Sequence, residues 1–263
     1  MNAVTAATSP DSNEQSDLFR YVLRLADADL ILAQRLGEWI GHAPELEEDL
    51  GLANIALDLM GQARLLLTYA GEIEGQGRDE DGLAFFREER EFLHPTLVEQ
   101  PNGDFGQTIA RQFLFDAWQM AYFERLAGSQ DRRLAEIAAK AVKEIRYHLR
   151  YSSNWLVRLG DGTEESHERV QRAVDILWQF TAELCAADSL DTEMHAAGVA
   201  PDLQAVHADW NATVDAVLKE ATLRRPADRP FHWHGKRGQH SEHLGRLLAE
   251  MQYMQRTYPG AQW

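Results

Sequence analysis

From Leu18 onward, apolar side chains recur at intervals of three and four residues, the repeat of one helix face, and no long run alternates at period two. Leu18, Val22, Leu25, Leu32 and Leu36 form the first such stripe and predict a helix from about Asp17 to Ile40, with Gly41 near its end. Pro44 and the acids Glu45, Glu47, Glu48 and Asp49 open a second, which continues to about Glu72 before Gly71, Gly75 and Gly77 close it. From Gly75 to Gly103 the pattern weakens to one short helix around LAFFREEREFL, then the turn-rich QPNGD. Asp104, with Gln107 three residues on, resembles a capping box and starts a third long helix reaching about Ala127; a fourth spans about Asp131 to Leu159. Thr163 caps a fifth, with Glu164 and Glu165 in its first turn, running to about Ala187, and two more lie near 201–220 and 241–257. Two long helices, a long crossover and two more long helices is the connectivity of a ferritin-like four-helix bundle. The expected fold is all-α: a flexible tail over residues 1–16, then a single helical domain over residues 17–263.

Composition narrows the partners. The chain has 42 acidic and 26 basic residues in 263, a formal charge of −16, which repels a phosphate backbone and argues against nucleic-acid binding. The one cysteine, Cys185, sits in WQFTAELCAA and reads as a small packed hydrophobe in a reducing compartment. The first sixteen residues lack the basic start and apolar core of a secretion signal, and no segment approaches 18 uncharged apolar residues, so a cytoplasmic protein is expected.

Ferritin-like bundles often hold two metal ions, with a glutamate from each of two helices and a Glu-x-x-His pair from each of the others. The inward polar candidates are Glu38, Asp58, Asp116 and Glu144, one per bundle helix, with His148 four residues after Glu144. Yet three residues after Asp58 stands Gly61, and three after Glu144 stands Tyr147, so the paired histidines are missing. Two literal Glu-x-x-His strings, Glu91 to His94 and Glu164 to His167, fall outside the expected bundle helices and are of a kind that arises by chance in a glutamate-rich chain. Near the C terminus FHWHGKRGQHSEHLG gathers His232, His234, His240 and His243 without a cysteine, and Gly235 and Gly238 leave its path open. It reads as a surface loop ahead of a helix capped by Ser241.

Four blocks, RLGEWIGHAPELEEDLGLANIALDLMGQAR, VEQPNGDFGQTIARQ, KEIRYHLR and EHLGRLLAEMQYMQRTYPG, together resemble the C subunits of bacterial phenylacetyl-CoA epoxidases, in order from about residue 17 to the C terminus. The resemblance implies a ferritin-like structural subunit without a working metal site. Its implied partners are a homologous catalytic A subunit that holds di-iron and a reductase subunit with FAD and iron-sulfur that draws on NADPH, and the implied reaction is epoxidation of the aromatic ring of phenylacetyl-CoA. On that reading Glu38, Asp58, Gly61, Asp116, Glu144, Tyr147 and His148 mark a vestigial metal pocket, and this chain has no catalytic residue and no metal of its own. Several like charges buried together need neutralising. Protonation, outward rotation, or a cation from Arg64, Arg111, Lys140 or Lys143 would do it, within a network that also uses Asn54 and Gln62. Lys236 and Arg237 are candidates for contact with CoA phosphates, and Trp39, Trp118, Trp178 and Trp263 for either core or interface. The competing reading is a carboxylate-rich di-metal oxygenase or oxidase.

Overall fold

The computed structural model of the protein describes residues 12–229 and 232–261, which form helices and turns and no strand. The bundle is built from α1 (Ser12–Gly37), α2 (Leu46–Glu74), α4 (Phe105–Leu126) and α5 (Arg132–Gly160). Between them, α3 (Glu80–Phe85) and a 3-10 turn at Glu89–Glu91 lie in the crossover. After the bundle come α6 (Glu164–Leu177), α7 (Ala182–Cys185), α8 (Ser189–Ala196), α9 (Leu203–Glu220), α10 (Glu242–Met251) and α11 (Tyr253–Thr257). Of the expected tail, residues 12–16 are already helical, and Gln15 Nε2 donates to the carbonyl of Ile73 at 2.5 Å, tying the start of α1 to the end of α2. Residues 1–11 lie outside the described part.

The helix ends follow local chemistry. α1 stops at Gly37, short of the expected Ile40, and Trp39 and Ile40 turn back onto the carbonyls of Leu36 and Gly37. Gly75 ends α2 at φ 67°, its N–H reaching the Gly71 carbonyl at 3.1 Å, a left-handed conformation that costs glycine nothing. Asp104 and Thr163 cap α4 and α6 through their side chains as expected, and Asp131 caps α5 in the same way. Gln107 does not close a reciprocal box but donates to the Pro101 carbonyl. The short crossover helix begins earlier than its apolar residues suggest, because Asp79 accepts from the Gly82 N–H and caps it. The expected fifth helix breaks after Leu177 into a 3-10 turn and α7, and α8, which the apolar spacing does not predict, is capped by Asp188.

α4 runs through the middle of the molecule, buried along most of its length, with α5 on one side and α6 and α9 over it; Trp210 of α9 donates to the Leu114 carbonyl at 3.0 Å. Trp118 and Trp178 are core residues, and Trp39 is half-buried with its indole donating to Thr108; Trp263 lies outside the described residues. Cys185 is packed, and burial pushes its thiol up to about 12, which leaves it unreactive at neutral pH.

Candidate functional site

The stripe on α1 has a gap. Leu18, Val22, Leu25, Leu32 and Leu36 keep the 4-3 spacing of a bundle seam only if position 29 is included, and that residue is Asp29. Gln62 fills the corresponding place on α2 between Leu59 and Leu66; Asp116 and Gln119 do so on α4, and Glu144 and His148 on α5. Four of these side chains, Asp29, Gln62, Gln119 and Glu144, meet inside the bundle. Gln119 Nε2 donates to Asp29 Oδ1 at 2.6 Å and to Gln62 Oε1 at 3.3 Å, and Gln62 Nε2 donates to Glu144 Oε2 at 2.9 Å. One polar chain therefore crosses all four helices, with a carboxyl at each end and two amides between.

The residues expected at a metal pocket lie at different depths. Glu144 belongs to the polar chain. Asp116 is buried one turn before Gln119, held by Gln112 Nε2 and Ser152 Oγ, both at 2.7 Å. Glu38 is not in the bundle: it lies beyond the end of α1, exposed, bonded to Arg35 and Asn102. Asp58 turns to the flank with its side chain 38% exposed, and reaches back to the buried His148 at 3.1 Å. Gly61 and Tyr147 both face outward, so neither stands at the inward level where a ligand would be needed. The inward residue on α2 is Gln62, one position past Gly61, because 100° per residue turns position 61 away from the core. Asn54 is exposed and has no part in the chain of bonds.

Neutralisation comes from protons and outward rotation. Burial pushes the Asp29 carboxyl well above its ordinary range against the opposing bond from Gln119, and the charge of Glu144 adds to the rise. Burial likewise raises Asp116, to about 7, against its bonds from Ser152 and Gln112. The expected cations are elsewhere. Lys140 and Lys143 are exposed, Arg64 pairs with Glu80, and Arg111 is buried but donates to the Gln100 carbonyl and Asn102. As a donor set, Asp29, Gln62, Gln119 and Glu144 do not fit the di-iron pattern of paired Glu-x-x-His motifs and bridging carboxylates.

The C-terminal histidine segment is not a solvated loop. It packs on the crossover, where Glu99 accepts from Ser241 N–H on Oε1 at 2.6 Å and meets His94 Nε2 and His240 Nδ1 on Oε2, both at 2.8 Å. The other nitrogen of His240 is 2.8 Å from the Phe92 carbonyl. Both ring nitrogens of His240 thus face acceptors, so both carry protons and the ring is a cation against the Glu99 carboxylate. Burial lowers His240, but its bond to Glu99 and that group's charge outweigh it and the pKa is raised; burial and the neighbouring His240 charge lower His94, which stays neutral. His94 therefore pairs with Glu99 and not with Glu91, whose side chain instead accepts from the Glu88 N–H. His167 Nδ1 lies 2.7 Å from the Gly160 carbonyl. Lys236 is not available to a phosphate: its ammonium donates to Asp191 at 2.8 Å and to the Ala186 carbonyl at 2.7 Å. Arg237 is exposed, 3.5 Å from Asp188.

The whole chain, residues 1–263, matches the model of a family described as phenylacetic acid catabolic protein. The chain belongs to this family. It is also 56% identical over 248 residues to the C subunit of 1,2-phenylacetyl-CoA epoxidase from Escherichia coli strain K12, covering 94% of this chain and 100% of that one. In this member of the family, the inward residues that sequence reasoning missed are Asp29 and Gln119, and the signal for both was the interrupted 4-3 seam.

Proposed function

We propose that this chain is the structural C subunit of a phenylacetyl-CoA epoxidase and carries no catalytic centre of its own. In that role it binds and supports a homologous catalytic A subunit, with di-iron residing in the partner and electrons arriving from NADPH through a reductase subunit. The observation that supports this reading is the chain Asp29–Gln119–Gln62–Glu144, in which neutral amides occupy two of the four inward positions at the bundle centre. An amide is a poor ligand for iron, and two carboxyls on opposite ends cannot bridge a pair of ions. The 56% identity to an epoxidase C subunit is a second support.

Co-expression with the catalytic partner, followed by size-exclusion chromatography and an epoxidation assay, tests the proposal. A stable complex should form, active with the reductase, while this chain alone turns over no phenylacetyl-CoA. Epoxidation by this chain and the reductase without the partner would overturn it.

A further inference from the structure

Among the large apolar side chains exposed on this molecule, Leu46, Leu50, Leu57 and Met60 all belong to α2, at 71%, 57%, 69% and 40%. At about 100° per residue the four fall within an arc of roughly 100°, opposite the face that buries Ile55, Leu59 and Leu66. The most apolar 18-residue stretch of α2 is only 44% buried, so the chain's own core does not account for its composition. Gly61 lies in the same arc. It is in the helix interior with no positive φ, and a Cβ there would meet nothing within 4 Å among the described residues. Glycine in a helix interior is less stable than alanine, and no contact among the described residues explains its presence. A close-approaching partner does, since a helix with no Cβ at the crossing admits another backbone.

The edge of α5 beside this stripe carries Lys140, Lys143 and Arg150, exposed, and Tyr147, 40% exposed with the Arg150 guanidinium 5.5 Å from its ring centre. None of the three cations forms an ion pair among the described residues, in a chain of net charge −16. Two copies of so acidic a chain repel each other, whereas this basic edge attracts a partner with carboxylates at the matching place. We infer that the outer face of α2, with the adjoining edge of α5, docks a helical partner subunit that brings an apolar seam flanked by acidic residues, Gly61 being the point of closest approach. The face from Leu46 to Gly61 is about 22 Å long, roughly four helical turns. This inference rests on the scaffold reading above.

The test measures affinity of wild type, Gly61→Ala, Leu57→Asp, Lys143→Glu and the control Ile176→Asp on α6 for the purified catalytic subunit, with circular dichroism of each. Gly61→Ala should raise the melting temperature of the isolated chain and yet weaken binding at least tenfold. Leu57→Asp should weaken it a hundredfold or more, Lys143→Glu several-fold and in a salt-dependent way, and Ile176→Asp not at all. Wild-type affinity in Gly61→Ala and Leu57→Asp would overturn the docking surface while leaving the scaffold reading intact. Failure of wild type to bind would remove the reading beneath it. Self-association, or retention on phosphatidylglycerol vesicles, abolished by Leu57→Asp would assign the face to a second copy or a bilayer and overturn the proposal.

Discussion

Asp116 couples its ionisation to folding, because burial raises its carboxyl. Its carboxyl titrates near 3.8 when unfolded and is raised by burial to about 7 when folded, so the folded chain holds an extra proton between those values. The stabilisation is complete below about 3.8 and is lost as pH rises through about 7. Asp116→Asn keeps one acceptor for Gln112, and the Ser152 hydroxyl reverses its role. Urea unfolding from pH 4 to 8 should therefore show a flatter profile for the variant, by up to about 4 kcal/mol across the window. His240 works with the same sign at higher pH. Its contribution is complete below 6.5 and fades as pH rises through its raised value, while Glu99, held low by the two histidines against its burial, contributes until strongly acid pH. Beside this pair lie neutral His94 and the Asp27 carboxylate, itself paired with Arg87. Replacing His240 with leucine leaves a buried carboxylate without its counter-charge and should cost about 3 kcal/mol or more, with faster amide exchange across residues 234–241. Unchanged exchange there would show that the ion pair does not hold the segment.

At the scale of elements, two buried arginines anchor the crossover to α1. Arg87 forms a buried bidentate pair with Asp27 of α1, which also accepts from the Leu93 N–H at 2.8 Å, and Arg35 donates twice to the Glu99 carbonyl. Arg87→Ala should destabilise the chain by about 3–5 kcal/mol in thermal or urea unfolding, and the double change Arg87→Met, Asp27→Leu should recover much of it, because the second variant buries no lone charge. A small loss in the single variant would contradict the anchoring. The bundle helices were legible because the 3.6 period and the side-chain cap at Asp104 are local signals, as is Thr163 for α6. The break after Leu177 and the short α8 were not, since tertiary contacts such as Trp178 Nε1 to Asp228 at 3.0 Å and Arg24 to Asp188 at 2.6 Å come from distant parts of the chain. The docked histidine segment escaped for the same reason: its partner, Glu99, is more than a hundred residues away.

Over the whole molecule, ionic clasps join the bundle to its C-terminal layer. Arg24 of α1, Asp188 at the cap of α8, Asp191 within it, and Lys236 form one buried network, so a lysine that the sequence offers to a phosphate is part of the frame. That the residues three after Asp58 and Glu144 are not histidines was readable from sequence, but which positions face inward was not. Gly61 has the spacing of a lost ligand and is an outward residue, whereas the inward amides Gln62 and Gln119 sit in the seam that Asp29 interrupts. A polar pattern identifies which helix face is unusual, and only packing shows which residue on it points in. On the proposed reading this protein frames a metal enzyme without holding the metal, and iron quantification of the purified chain after anaerobic Fe(II) loading, with the absorption spectrum, tests that directly. The prediction is far less than one iron per chain and no oxo-bridged band, with the iron of the complex tracking the catalytic partner; two irons per chain with that band would contradict it.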